Sequence, residues 1–476
     1  MASTDNELLS IIETCQISAP PNTIGERSLP LTFFDLYWLH SSPMPQLFFY
    51  EFPYSKHHFL QTIIPNLKHS LSITLKHLFP FASKLVIFPP SQNKKPEIRH
   101  VEGDHVTLTF AECDHLDFND LKGNHPRECN KFYNLVPLLG SVEYISDLIK
   151  IPLFSAQVTF FPKTRGITLG ITTHHTVADA TTEIHFLRTW ASISKNGTDV
   201  LFLATEVLPF FDRVIKYPNS FDQLALNRSG VKTISIELPN QYPDQVRATI
   251  VLTRLEIDRL KKWVLTKLPN LEYISSLSVA SAHVWSCIAK SRNHLDSEKK
   301  LKDGDIEMGF VFYVDWRSRI NPPIPQSYYG NCLWPTFAIE KSSVLSKNNG
   351  FLIAAELLGK ALSETINNKN GFIKEVESWF KKLRRDLPTI GVAGSPKVEF
   401  YDLDFGWGDP VKFEVIFIDK NGSISIGKCK GSSHDIEIGL SLPTKQMDAF
   451  LTISRDALEK IFNEESVMIG RLNCKL

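Results

Sequence analysis

The 476-residue chain has no excess of either charge: 52 Lys and Arg balance 52 Asp and Glu. General binders of nucleic acid or of anionic membranes rely on surplus basic residues, so neither partner is expected. No stretch approaches the roughly 18 uninterrupted apolar residues that cross a bilayer. Residues 1–17 lack the basic-then-apolar order of a secretory signal. Cysteine is sparse and unpatterned. Seven residues, at 15, 113, 129, 287, 332, 429 and 474, never form CxxC, which fits reduced thiols and not a disulfide framework or a zinc site. Repeats of fixed period and low-complexity tracts are also missing. The sequons at Asn196, Asn227 and Asn421 are then chance matches. A globular protein of the cytosol, without a metal, is the expectation.

Apolar residues are plentiful. They make up 43% of the chain, with 32 Phe among them, enough for a large core or pocket of flat apolar surface. The run Leu31–Leu39 suits a buried strand. Leu60, Ile64, Leu67, Leu71, Leu75 and Leu78 recur at helical spacing, with a kink or restart at Pro65 and a stop at Pro80. Ile151–Phe161 and Ile167–Thr173 read as paired strands. After His175 the period becomes helical until Gly197. Val246–Leu252 is a strand, Thr253 and Glu256 form a capping box for a helix to Leu268, and a second helix runs from Ser276 to Ser291. Residues 291–305 read as a solvated loop, Phe310–Trp316 as a strand and Phe351–Ile366 as a helix. Lys412–Asp419 and Ile424–Gly427 flank Asn421-Gly422 as a hairpin, followed by a strand over Ile436–Leu442 and a last helix after Pro443. Interleaved strands and helices predict an α/β protein of two domains with mixed sheets: 1–200, a crossover linker over 201–240, and 241–476.

His-x-x-x-Asp occurs twice. A His can act as a base near neutral pH and an Asp can hold the ring or its loop. His100–Asp104 sits among charged residues and reads as a solvated turn. His175–Asp179 instead lies where a strand ends and a helix begins, an edge that fixes a side chain yet leaves it accessible. Asp404-Phe-Gly-Trp-Gly408 reads first as a tight turn with a buried Trp. Asp315-Trp-Arg-Ser-Arg319 reads first as a surface arginine pair. Gly427–Gly431 imitates a nucleophile elbow, but a strand follows it where an elbow needs a helix. GxSxG, HExxH, Walker A and GxGxxG are all missing.

Together HHTVADA at 174–180 and DFGWG at 404–408 give the chain a resemblance to the plant BAHD acyltransferases, which move acyl groups from coenzyme A thioesters. Leu29–Asp35, Phe211-Asp-Arg213, the DWRSR segment and Tyr328-Tyr-Gly-Asn-Cys332 stand in the matching order. The opening and the YYGNC block resemble the branch that acylates anthocyanins and other phenolic glycosides with malonyl- or hydroxycinnamoyl-CoA. The resemblance implies two chloramphenicol-acetyltransferase-like domains with a channel between them and a monomeric enzyme with acyl-CoA as co-substrate and no resident cofactor. His175 is implied as general base, and Asp179 as its loop anchor on Arg317. Asp404 is carried beside them as a catalytic candidate. Gly406, Trp407 and Gly408 support a loop, and Ser275 and Ser276 contact CoA at a helix N-terminus. Two departures stand out: Tyr329 where relatives carry Phe, and Ala180 after the motif Asp, with Glu183 one turn on. A malonyl carboxylate prefers a cation, and if Glu183 faces the channel it tilts the expected donor towards an aromatic or neutral acyl group. Amide formation, another plant alcohol as acceptor, and a non-catalytic binding protein of the same fold stay open.

Overall fold

Alternating and continuous apolar runs assemble into three sheets. The structure, a computed structural model, describes residues 9–204, 208–229, 244–271, 274–298, 306–367, 374, 376, 377, 379, 387–420, 422–432 and 434–473. The first sheet has the order β1 (Ser10–Ser18), β6 (His105–Glu112), β10 (Phe154–Phe161), β11 (Gly166–Thr173), β3 (Met44–Glu51), β16 (Lys412–Val415). The second runs β14 (Leu333–Lys341), β13 (Glu307–Asp315), β15 (Thr389–Ala393), β17 (Ile424–Lys428), β18 (Ile436–Pro443), β12 (Gln245–Leu252), β7 (Arg127–Glu128). A smaller sheet joins β2 (Arg27–Pro30), β5 (Glu97–His100), β4 (Lys84–Ile87), β9 (Leu148–Pro152) and β8 (Glu143–Ile145). Parallel pairs β6–β10, β13–β15 and β15–β17 sit among antiparallel ones, so the two large sheets are mixed.

Each large sheet has its own apolar core. The first gathers Phe48, Leu169, Ile171, Leu187 and Trp190; the second gathers Ile257, Trp285, Phe310 and Ile438. The helices follow from the sequence pattern. Ala180–Asn196 starts on the Asp179 cap, buries Ile184, Leu187 and Trp190, and ends at Gly197 with φ +70°, a left-handed stop suited to glycine. Pro65 closely follows a π-helical turn, Phe59–Ile63, that joins Lys56–His58 to Ile64–His77, so the helix bulges where the proline lacks an N–H. Thr253 and Glu256 form the expected capping box of Arg254–Lys267. No helix among the described residues is long and apolar enough to cross a membrane.

Two strands cross the expected domain boundary. β16 pairs with β3, and β7 pairs with β12. Charges lock this exchange. Arg127 meets Glu414 at 2.8 Å, and Arg247 meets Glu414 at 3.3 Å and Asp419 at 3.6 Å, with all four side chains at most 4% exposed. Burial alone would raise the Glu414 carboxyl, but the two arginines hold it at about 2. Within 201–240 the described parts include helices Val200–Ala204 and Ser220–Ser229; 205–207 and 230–240 lie outside the described residues.

Four expectations are corrected. Leu31–Leu39 is not a strand: Phe33–Leu36 is helical, because Asp35 Oδ2 accepts from Thr32 N at 2.8 Å and from Thr32 Oγ1 at 2.7 Å. Every residue of that turn is buried, so no period marked it. Lys412–Asp419 and Ile424–Gly427 form no hairpin, since β16 joins the first sheet while β17 sits between β15 and β18; Asn421 lies outside the described residues. The helix from Ser276 continues past Ser291 to Glu298, and 299–305 lie outside the described residues. His100 is buried beside Phe79, ring centroids 5.8 Å apart, and not solvated.

Candidate active site

β11 delivers the chain to His174–Asp179, and the helix Ala180–Asn196 carries it away. Asp179 accepts from Thr182 N at 3.1 Å, which caps that helix. Its two oxygens also receive Arg317, Nη1 at 2.8 Å and Nη2 at 3.1 Å, and Oδ2 accepts from Cys332 N at 3.1 Å. Both side chains are fully buried. Burial would raise the Asp179 carboxyl, but Arg317 and these N–H groups outweigh it and hold it below its ordinary value. Arg317 also donates to the carbonyls of Gly330 and Tyr328, so it ties the motif loop to the YYGNC block. The surface arginine reading fits Arg319, which is exposed, and not Arg317.

His175 is half-buried on the wall of a cavity of about 510 Å³. Residues of both large sheets line it, Gln46 of the first and Tyr313, Val392 and Ile426 of the second, together with Trp38 and Glu183. The tautomer follows from Asn331. Its Nδ2 lies 2.8 Å from His175 O, 3.2 Å from Thr176 O and 3.1 Å from Asp35 Oδ1, all acceptors. Asn331 Oδ1 is therefore the atom 3.1 Å from His175 Nδ1. Nδ1 carries the proton, and Nε2 keeps its lone pair. Burial lowers the imidazole from 6.5 to about 4, so the ring is neutral at physiological pH. Its neighbour His174 is buried completely and lowered to about 3, with Nδ1 taken by Thr176 N. Trp38 stacks flat on His175, centroids 3.6 Å apart and planes 3° apart.

Glu183 also faces the cavity. Gln46 Nε2 donates to its Oε2 at 2.5 Å, and the Thr173 hydroxyl also supports the carboxyl. Burial raises this carboxyl. Ser275 lines the cavity and caps the Ser276–Glu298 helix by accepting from Ser278 N at 2.9 Å; Ser276 opens that helix but is not on the wall.

Asp404 stands apart. It is not among the cavity residues; its Oδ1 accepts from Gly406 N and Gly408 N, both at 2.8 Å, and its Oδ2 meets Lys195 at 2.7 Å. Gly406 and Gly408 have φ +108° and +101°, which an L side chain resists. Trp407 stacks on Phe405 and meets Tyr50 edge-on, so its ring is buried while Gly406 and Gly408 beside it stay exposed. The site thus brings together His175, Asp179, Arg317 and Ser275, and leaves Asp404, Gly406, Trp407 and Gly408 on a separate loop. Trp38, Gln46 and Asn331 reach His175 or Glu183 from far along the chain, and Asp35 reaches Asn331. Only Asn331, inside the YYGNC block, and Asp35, three residues after Thr32, carried any sequence signal.

Two mixed sheets that line one cavity are the α/β architecture that the resemblance implies. Vinorine synthase shares it at TM-score 0.65 and 20% identity, over 93% of this chain and 96% of that one. TRI101 of F. sporotrichioides, complexed with coenzyme A and T-2, shares it at 0.62 and 16%, over 88% and 96%. The Transferase family model matches residues 9–455, and the chain belongs to that family, the BAHD transferases. It is 49% identical to malonyl-coenzyme A:anthocyanin 3-O-glucoside-6''-O-malonyltransferase of Dahlia pinnata, over 95% of this chain and 98% of the relative. Phenolic glucoside malonyltransferase 1 of Nicotiana tabacum is 40% identical, over 88% and 92%. Coumaroyl-CoA:anthocyanidin 3-O-glucoside-6''-O-coumaroyltransferase 1 of Arabidopsis thaliana is 35% identical, over 94% and 97%.

Proposed function

We propose that the chain is an acyl-CoA-dependent O-acyltransferase that moves a malonyl or hydroxycinnamoyl group to a sugar hydroxyl of an anthocyanin-type phenolic glycoside. The observation that carries this reading is the neutral His175, its Nδ1 tied to Asn331, on the wall of a cavity lined by both sheets. Nε2 takes the proton of the acceptor hydroxyl as its oxygen attacks the thioester carbonyl. The tetrahedral intermediate collapses, the C–S bond breaks, and the imidazolium returns the proton to the leaving thiolate. Base catalysis of this kind is worth about 10²–10⁴-fold, and holding two substrates in one cavity adds to it. Asp179, committed to Arg317, holds the loop and moves no proton. Asp404 holds the 404–408 loop. Ser275 and Ser276, at the start of a 23-residue helix, offer N–H groups suited to a CoA phosphate. The same reading keeps two acyltransferase-like halves, 1–200 and 241–476, joined through 201–240, in a monomer of the cytosol.

The two donors have different support. The Dahlia relative is a malonyltransferase. Glu183, a carboxylate on the cavity wall, repels a second carboxylate and favours a neutral, hydroxyl-bearing acyl group. Thiol release from malonyl-CoA and coumaroyl-CoA, crossed with anthocyanin and phenolic glucosides and read by product mass, tests the reading. Transfer from either donor supports it. No thiol release with any pair, while CoA still binds, overturns it in favour of the non-catalytic alternative.

A further inference from the structure

His175 must become a cation once in every cycle, in a place that disfavours one. Burial holds its ring neutral. The carboxylate of its own motif does not reach the ring and favours its cation only from a distance, because both Asp179 oxygens face Arg317 and one also receives Cys332 N. Asp35 acts only through the Asn331 amide, whose Nδ2 it accepts at 3.1 Å. Among the described residues no carboxylate therefore hydrogen-bonds the ring. What does touch it is Trp38, lying flat across one face at 3.6 Å and 3°. An indole face carries the negative side of its quadrupole and attracts a cation above it.

The stack is built in. Trp38 N donates to Asp35 O at 3.0 Å, so Asp35 and Trp38 leave the same capped helical turn three residues apart. One reaches the edge of the imidazole through Asn331, and the other covers its face. Trp38 is itself held by Tyr37 at 4.7 Å and 80° and by Tyr313 at 5.0 Å and 48°.

We propose that Trp38 is a positioning residue for the base: its indole fixes the plane of the His175 ring and takes the role of a carboxylate towards the imidazolium. This rests on His175 being the base of the reaction. The full chain is compared with Trp38→Leu, Trp38→Phe and His175→Ala, measuring kcat and KM for both substrates and the His175 ring-proton shifts by NMR. Trp38→Leu loses about 10²-fold in kcat, the scale of a misplaced catalytic group, with KM for donor and acceptor unchanged. Trp38→Phe, which keeps a π face, recovers most of that loss. The wild-type His175 ring protons resonate upfield under the indole, and the shift disappears in Trp38→Leu. Wild-type kcat in Trp38→Leu overturns the proposal, as does a KM rise at constant kcat, which would make Trp38 merely cavity wall. If the Leu variant does not fold, unshifted His175 protons in the wild type or a Phe variant as weak as His175→Ala overturn it. Wild-type turnover in His175→Ala instead overturns the base reading beneath it.

Discussion

Asp179 and Asp404 do similar local work in unlike surroundings. Each accepts two backbone N–H groups, Asp179 from Thr182 and Cys332 and Asp404 from Gly406 and Gly408, and pairs with one cation. Asp179 is sealed in, and its partner Arg317 is sealed with it; Asp404 keeps a quarter of its side chain exposed, and Lys195 is more than half exposed. A buried ion pair tolerates no missing member, because the survivor is left charged and unsolvated. A surface pair is backed by water. The depth of a motif, more than its residue type, decides what its loss does.

The largest expected effect lies beside the buried aspartate. His175→Ala loses about 10²–10⁴-fold in turnover while CoA binding, measured by calorimetry, persists. Next, Arg317→Met leaves Asp179 unpaired and lowers stability by about 3–5 kcal/mol in denaturant unfolding. A loss below about 1 kcal/mol would place this pair with surface bridges and break the comparison. The pH profile sharpens it. His175 lies lowered from 6.5 to about 4 by burial, so the base is deprotonated above that value and kcat/KM falls as pH drops through about 4. Stability has the same sign. The unfolded chain binds these protons first, so the buried His174 and His175 withdraw stability as pH falls below 6.5. Asp404→Ala costs about 1 kcal/mol, the value of a lost cap, and leaves kcat of the folded enzyme unchanged; a 10²-fold drop in kcat would give it a catalytic role after all. The smallest effect belongs to Tyr329→Phe. Its hydroxyl is buried without a partner, so removing it leaves the melting temperature unchanged or raises stability by up to about 1 kcal/mol.

Helices and strands with a clear period were legible, because Ala180–Asn196 carries its apolar residues at helical spacing and β13 alternates buried with half-buried positions from Phe310 to Asp315. Phe33–Leu36 was not, since a short run buried on all sides has no period and only its Thr32–Asp35 box announced it. The Asn421-Gly422 hairpin failed for another reason: local turn chemistry says nothing about which sheet each flanking segment joins. The candidate site divides in the same way. His175, Asp179 and Arg317 lie in short motifs, whereas Trp38, Gln46 and Asp35 meet the site only through tertiary folding.

The strand that closes the first sheet has a consequence for synthesis. β3 carries Leu47, Phe48 and Phe49 and, in the finished molecule, hydrogen-bonds β16 along its outer edge. β16 lies far towards the C-terminus, so after β11 leaves the ribosome that edge waits roughly ten to fifty seconds at about 5–20 residues per second. An open, apolar strand edge invites the wrong partner. An amino-terminal fragment ending before residue 412 therefore leaves the β3 edge of the first sheet open.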